Sequence, residues 1–197
     1  MNRTIRIAIL ITIVLAALWG LAGIHGGEQA PPPAAAPLRI APPAAEIHRS
    51  QPVGLPTRLT IPAIGVDEGL HAVGLKPNGA METPAFGQAG WYDLGPRPGA
   101  SGPAVIVAHV HGPGGDDVFA RLHELKAGDR VTVRRIDGVS TFVVGSAERA
   151  HKDALPYERI WSDVDRPVLR LITCGGTPNP VTRMYPDNTI VYAELAP

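Results

Sequence analysis

Residues 130–147 read RVTVRRIDGVSTFVVGSA, and this stretch decides the fold class. Its first half alternates between apolar and polar side chains, with Val131 and Val133 on the same face, and a period of two is typical of a β-strand. Residues 137–138, Asp-Gly, are a strong hairpin turn signal. Residues 140–147 then return as the second strand. The stretch therefore predicts an antiparallel hairpin.

The sequence on either side of this hairpin predicts more short strands, separated by Gly, Pro and Asp turns. Residues 103–109 form a continuous apolar run, which indicates a strand buried on both faces. No helical stretch is long enough to connect parallel strands, so the predicted class is all-β with a closed or nearly closed barrel. The other predicted strands are residues 58–61, 69–73, 168–173 and 189–195.

Two short stretches have a helical pattern. Residues 116–125 begin with two acidic residues that suit a helix N-terminus, and Phe119, Leu122 and Leu125 recur at a spacing of three. Their side chains are expected to face the core. The second stretch is residues 157–161. The domain should therefore contain one or two short helices.

The N-terminal region has a different composition from the rest of the chain. Residues 7–24 are almost entirely apolar, and Arg3 and Arg6 precede them, so residues 1–24 are expected to form a signal-anchor that spans the cell membrane once. A cleaved signal peptide is the alternative. Residues 25–56 are rich in Pro and Ala and predict an extended linker. The domain at 57–197 would then be extracellular.

Charge excludes one class of partner. The chain has 18 acidic and 18 basic residues among its 197, and no basic stripe is visible. A protein that binds nucleic acid needs a concentrated positive surface. We therefore expect no nucleic-acid partner.

Cys174 is the only cysteine of the chain, so it cannot form an internal disulfide. It ends a predicted buried strand, and Gly175-Gly176 follows, which allows a sharp turn and close approach of a ligand. A nucleophile needs such access. A buried cysteine that only fills space is the alternative. The position at the strand end favours a functional thiol.

Thiol catalysis needs a base or a positive neighbour, and His109 is the best-placed histidine. It closes the apolar strand just before a Gly-rich loop, as Cys174 closes another strand. His109 and His111 share a face, but no third metal ligand follows at a familiar spacing. We therefore predict neither a metal site nor a cofactor.

Arg183 lies nine residues after Cys174 and shortly before the last predicted strand. The loop between those strands would return Arg183 to the end of the barrel where Cys174 lies. A guanidinium there could hydrogen-bond a carbonyl or a developing oxyanion. A solvated loop arginine is the alternative.

The combined pattern resembles the sortase family, and within it the actinobacterial type called class F. The resemblance covers essentially residues 57–197, and any single motif would be weak. The motifs that carry it are Ala108-His109-Val110, Leu171-Ile172-Thr173-Cys174-Gly175-Gly176, Arg183-x-Tyr185-x-Asp187-Asn188, Ile61-Pro62-Ala63-Ile64-Gly65-Val66, Gly90-Trp91-Tyr92 and Gly95-Pro96-Arg97-Pro98-Gly99.

The resemblance implies an eight-stranded β-barrel and a cysteine transpeptidase. Cys174 would attack a sorting signal of Leu-Pro-x-Thr-Gly type in a surface protein and form a thioester, which an amine from a peptidoglycan precursor or another protein would resolve. His109 would act as acid and then base, and Arg183 would stabilise the oxyanion. Two features depart from relatives. His111 stands where Asp is frequent, and the loops lack an obvious acidic calcium cluster.

The sequence is also compatible with two other functions. An L,D-transpeptidase also combines Cys, His and Arg, but its histidine closely precedes its cysteine, unlike His109 and Cys174. The other possibility is a non-catalytic, wall-associated β-barrel in which Cys174 is a packing residue.

Overall fold

The computed structural model describes residues 53–197. Ten β-strands lie in this part of the chain, and eight of them form a closed barrel. The strands are β1 (Pro56–Ile61), β2 (Val66–Val73), β3 (Ala89–Tyr92), β4 (Gly102–Ala108), β5 (His111–Gly112), β6 (Gly115–Asp116), β7 (Arg130–Arg135), β8 (Gly138–His151), β9 (Pro167–Gly175) and β10 (Asp187–Leu195).

The barrel closes in the order β1-β2-β3-β4-β9-β10-β8-β7, and β5 and β6 form a separate small hairpin. Neighbouring barrel strands are antiparallel except for two parallel pairs, β2 with β3 and β4 with β9. Closure leaves no open sheet edge. The prediction of an all-β, closed eight-stranded barrel with little helix is therefore confirmed.

The β7–β8 hairpin has the predicted turn, with Arg135 paired to Gly138. The second strand is longer than predicted, because β8 continues to His151 instead of ending near residue 147. Its last residues extend beyond the end of β7 and pair with the start of β10, where His151 lies opposite Asp187. Alternation along the chain could not show this extension, since the pairing strand is distant in sequence. The short strand β3 was also not among the predicted strands.

Side chains of the barrel wall separate into two apolar clusters. The cluster inside the barrel includes Ile106, Phe142 and Leu171. The second cluster lies on the other face of the same strands and includes Val107 and Ile172. We call this second face the outer face. Because successive strand residues point to opposite faces, residue number along β4 and β9 tells which face a side chain occupies.

The connection between β8 and β9 covers part of the outer face. It begins with a 3₁₀ turn at Lys152–Ala154 and continues into the one-turn helix α1, Tyr157–Ile160. Leu155 and Ile160 are buried and belong to the outer cluster. The predicted helical stretch 157–161 is therefore present, apart from its last residue.

The predicted helix at 116–125 is wrong in type. Only Leu122–Glu124 is helical, and it is a 3₁₀ turn, preceded by turn bonds such as Leu122 N–H to Phe119 C=O at 3.1 Å. The Asp117 carboxylate does not cap a long helix. It accepts from the backbone N–H of Gly87 at 3.0 Å and so ties two loops together. The spacing of three was nevertheless informative, since Phe119, Leu122 and Leu125 are buried as expected.

The predicted signal-anchor at residues 1–24 and most of the predicted linker at 25–56 lie outside the described residues. Among residues 53–197, no helix has the length and apolar character needed to cross a membrane.

Candidate active site

Two neighbouring parallel strands, β4 and β9, end together. Their register pairs Val107 with Ile172, so His109 and Cys174 each lie two residues further along. A buried hydrogen bond fixes these two ends, because Thr173 Oγ1 donates to the Ala108 carbonyl at 2.7 Å. The structure therefore brings the predicted histidine and cysteine to the same end of adjacent strands.

Cys174 is the penultimate residue of β9 and pairs with Asn188 of β10. By alternation its side chain shares the outer face with Ile172, away from the interior of the barrel. The thiol is half-buried, and it accepts a hydrogen bond from Lys152 Nζ at 3.6 Å. A partly exposed sulfur with a cationic neighbour differs from a cysteine that fills space in an apolar core.

The structure requires a glycine at each of the two positions after Cys174, for a different reason at each. A Cβ at Gly175 would lie 3.1 Å from the backbone nitrogen of Thr189, so its absence lets β9 and β10 approach. Gly176 has a φ of 81°, in the left-handed region that favours glycine. The glycines thus shape the exit from β9, whereas the sequence suggested chiefly access for a ligand.

His109 is half-buried, and neighbouring residues fix its ring. Nε2 lies 3.0 Å from the carbonyl oxygen of Pro84, and since a carbonyl only accepts, Nε2 carries the hydrogen and donates it. The ring of Phe86 contacts the imidazole, with centroids 4.5 Å apart. Nδ1 is then the nitrogen at which a proton can be gained or lost. Neither Pro84 nor Phe86 was singled out in the sequence.

Arg183 lies in the connection between β9 and β10, as predicted, and its side chain is exposed. Its φ of 61° is left-handed, which is uncommon for a residue other than glycine and is found more often at functional sites. The local turn is held by a hydrogen bond from Arg183 N–H to the Asn179 carbonyl at 2.8 Å. Within residues 53–197 no hydrogen bond or ion pair involves its guanidinium, so none joins it to Cys174 or His109.

Lys152, whose side chain contacts Cys174, was not singled out in the sequence. The predicted strand ended near residue 147, so Lys152 lay in an apparently unstructured polar stretch. In the structure, β8 extends to His151 and carries Lys152 to the end of the barrel where Cys174 lies. Residues 148–152 read Glu-Arg-Ala-His-Lys and show no apolar and polar alternation, so the sequence carried no local signal for this extension.

His111 lies apart from this site, on the β5–β6 hairpin. It is exposed, and its Nδ1 lies 3.5 Å from Asp116 Oδ1. Within residues 53–197, no group of three or more His, Cys, Asp or Glu side chains is arranged to hold a metal ion.

A cavity of about 590 Å³ lies beside the site. Phe86 is part of its wall and also contacts His109. Neither Cys174 nor His109 lines the cavity, so the chemistry that we infer is located on the outer face rather than in this space. The remaining walls come from residues 64–66, Glu68 and Gly87, and from the segments 112–118 and 120–121.

The chain thus has a closed eight-stranded barrel with a cysteine and a histidine at the ends of adjacent parallel strands. The sortase domain model matches residues 59–196, and the chain belongs to the sortase family. Sortases are cysteine transpeptidases. No protein with curated function matches this sequence at a significant level.

Solved structures support the fold. The sortase C1 of GBS pilus island 1 aligns with a TM-score of 0.54 and 20% identity, over 72% of this chain and 65% of that one. The chain thus spans less than two thirds of that relative. Sortase C-1 from Actinomyces oris gives 0.57 and 19%, over 72% and 73% of the two chains. Sortase A from Corynebacterium diphtheriae gives 0.57 and 18%, over 76% and 63%.

Proposed function

We propose that this protein is a membrane-anchored cysteine transpeptidase of the class F type, with its barrel outside the cell. It cleaves a sorting signal of Leu-Pro-x-Thr-Gly type in surface proteins. It then transfers the new acyl group to an amine of a cell-wall precursor or another protein. The observation that supports the proposal is the parallel register of β4 and β9, in which His109 and Cys174 each lie two residues beyond the paired residues Val107 and Ile172.

In the first step the sulfur of Cys174 attacks the scissile carbonyl carbon. A C–S bond forms, the C–N bond breaks, and the leaving amine takes a proton from His109. Since Nε2 is held by Pro84, the transferred proton is the one on Nδ1. In the second step an incoming amine attacks the thioester, gives a proton to His109, and releases the sulfur. Hydrolysis follows the same course when water replaces the amine.

Arg183 is proposed to stabilise the oxyanion. Its exposed guanidinium has no partner among residues 53–197, so its donors are free to meet a substrate carbonyl. The left-handed backbone at this position supports a functional role, because such strain persists where it is useful.

The packing function for Cys174 is disfavoured by its half-exposed sulfur and by the hydrogen bond from Lys152. The L,D-transpeptidase hypothesis is set aside, because the chain belongs to the sortase family.

The test uses the full-length protein in mild detergent, a panel of sorting-signal peptides and intact-mass spectrometry. We expect a thioester adduct that hydroxylamine removes, and none with Cys174→Ala. If the wild-type protein forms no adduct with any peptide and matches Cys174→Ala throughout, the proposed function is wrong.

Substitutions test the two supporting roles. His109→Ala is expected to lower turnover about 10²–10⁴-fold, the usual loss when a general acid–base is removed. Arg183→Ala is expected to lower it about 10²–10³-fold, as for loss of an oxyanion donor. His71→Ala and Arg130→Ala change exposed residues of the same types on β2 and β7 and serve as controls. Unchanged turnover in either test variant contradicts the role assigned to that residue.

A further inference from the structure

The side chain of Lys152 contacts the sulfur of Cys174. Lys152 Nζ donates a hydrogen bond to Sγ at 3.6 Å, within the range for a bond to sulfur. Lys152 is half-buried, whereas the other lysines of the chain, Lys76 and Lys126, are exposed. The chain therefore places one ammonium group against its only thiol.

The pairing of three strands holds this contact in place. The Lys152 backbone N–H donates to the Pro186 carbonyl at 3.0 Å, which continues the pairing of β8 with β10 by one step. On its other side β10 pairs with β9, where Asn188 lies opposite Cys174. Lys152 therefore reaches across the end of β10 to the sulfur.

Side-chain direction agrees with this arrangement. Ala150 lies opposite Asn188, and Asn188 lies opposite Cys174, so the three side chains share one face of the sheet. Lys152 follows Ala150 at the same parity and emerges on that outer face. Two strand spacings amount to roughly 10 Å, and a lysine side chain that runs diagonally over β10 covers most of that distance. The contact is thus a consequence of sheet register.

We propose that Lys152 is a further catalytic residue, whose ammonium group holds the sulfur of Cys174 as a thiolate. The inference rests on the proposed function, in which Cys174 is the nucleophile. It assigns Lys152 a role that neither His109 nor Arg183 supplies, since His109 exchanges protons with the amines and Arg183 meets the carbonyl oxygen.

The proton balance of the cycle defines what Lys152 does. Before the attack the thiol proton leaves to solvent, and the ammonium remains protonated beside the thiolate. The thiolate then attacks the carbonyl, and the proton for the leaving amine comes from the His109 imidazolium. When the second amine attacks, the sulfur leaves as a thiolate again and regains its hydrogen bond from Lys152. Lys152 gives up no proton, so it acts through charge alone.

This charge has two opposing effects on the attack. An adjacent cation increases the fraction of thiolate at neutral pH. It also lowers the intrinsic reactivity of each thiolate, with a Brønsted coefficient of about 0.4–0.5. The first effect exceeds the second because the Brønsted coefficient is below one, so Lys152 accelerates attack at any pH at which the thiol form predominates. It also improves the sulfur as a leaving group in the second step.

Other charged groups surround this end of the barrel and belong in the same balance. Of these, Asp187 of β10 opposes a thiolate, and the cationic form of His109 at the end of β4 favours it. The remaining charged or titratable groups on the neighbouring segments are His151 of β8, Asp153 of the 3₁₀ turn, and Arg183 and Tyr185 of the connection between β9 and β10. His151 Nδ1 and Asp153 Oδ2 lie 3.6 Å apart.

The test measures the rate of iodoacetamide alkylation of the full-length protein against pH by intact mass. Because Cys174 is the only cysteine, no other thiol contributes. Lys152→Met removes the charge and keeps a similar length, Lys152→Arg keeps the charge, and Lys76→Met is a matched control on an exposed lysine. Circular dichroism shows that each variant retains its fold.

We expect Lys152→Met to lower the alkylation rate at pH 7 about two- to fourfold, because the three- to tenfold loss of thiolate is partly offset by the higher reactivity of each remaining thiolate. The pH midpoint should move upward by about half to one unit, while the plateau at alkaline pH is unchanged or higher. The midpoint of Lys152→Arg should stay close to the wild-type value, because the charge is kept, and Lys76→Met should match the wild type.

Two results would overturn the inference. One is a Lys152→Met profile with the wild-type midpoint. The other is a loss of rate confined to the alkaline plateau, since that pattern reports access to the sulfur and not charge. The assay needs no sorting peptide, so it is independent of the thioester test. A wild type that forms thioester but shows no midpoint shift in Lys152→Met refutes only the role of Lys152.

Discussion

The hydrogen bond between Thr173 and Ala108 joins the two strand ends that carry Cys174 and His109, so its removal tests the link between fold and site. Thr173 Oγ1 donates to the Ala108 carbonyl at 2.7 Å, and both residues are buried. Thr173→Val keeps the branched shape and replaces the hydroxyl with a methyl group.

The expected loss of stability is about 1–2 kcal/mol. Leaving a buried carbonyl without its donor costs about 1–3 kcal/mol. The added methyl group returns up to about 0.8 kcal/mol through burial of apolar surface. For a domain of this size the thermal midpoint should fall by roughly 2–8 °C, and the urea midpoint by roughly 0.5–1 M.

Urea unfolding of the full-length protein, followed by tryptophan fluorescence, measures this change, since Trp91 is buried in the barrel. Thr173→Ser is the matched variant, because it keeps the hydroxyl and loses a methyl group. It should lose about 1 kcal/mol of stability but retain transpeptidation. Thr173→Val should lose activity at temperatures where it is still folded. A valine variant as stable and as active as the wild type would refute the reasoning.

Two further predictions concern the backbone and the dependence of stability on pH. Gly176→Ala should cost more stability than Gly79→Ala, measured by urea unfolding: both have left-handed φ values, 81° and 79°, but a Cβ at Gly176 would lie 2.7 Å from the Asp187 carboxylate, while Gly79 has open space. Equal losses of stability in the two variants would contradict the predicted clash between a Cβ at Gly176 and the Asp187 carboxylate. The backbone N–H of Gly54 donates to Asp137 and lowers the pKa of that carboxyl below 3.8. Asp137 therefore adds stability above the ordinary carboxyl pKa, and this is lost as pH falls through the lower folded value. Asp137→Asn should be less stable than wild type at pH 7 and equal to it in strong acid. A stability difference that persists in strong acid argues against this linkage.

The strand content was largely readable from the sequence because each signal is local. Alternation over residues 130–136, the Asp-Gly turn and the apolar run ending at His109 each depend on a few neighbouring residues. The exposure pattern of β7 repeats the predicted alternation, with Val131 and Val133 fully buried. The helix prediction failed at residues 116–125. There the Asp117 carboxylate binds the backbone of Gly87, and the segment forms turns and a short 3₁₀ helix that still bury the apolar residues spaced three apart.

The candidate site was predicted in part. Cys174 and His109 could be singled out because each closes an apolar strand, and the structure brings those strand ends together in parallel register. Arg183 lies in the connection between β9 and β10, as predicted, but among residues 53–197 no hydrogen bond joins its side chain to Cys174 or His109. Lys152 could not be singled out, since its relation to Cys174 passes through β10, which follows both in the chain.

The sequence by itself determined the strands, the tight turns and the single thiol at a strand end, because period-two burial and turn chemistry act over a few residues. Only the tertiary structure decided that β4 lies parallel to β9 and that β8 and β9 flank β10. Periodicity tells which face of a strand is buried but not which strand lies beside it. Barrel closure selects those neighbours through contacts between distant residues, and it thereby places an ammonium group beside the thiol.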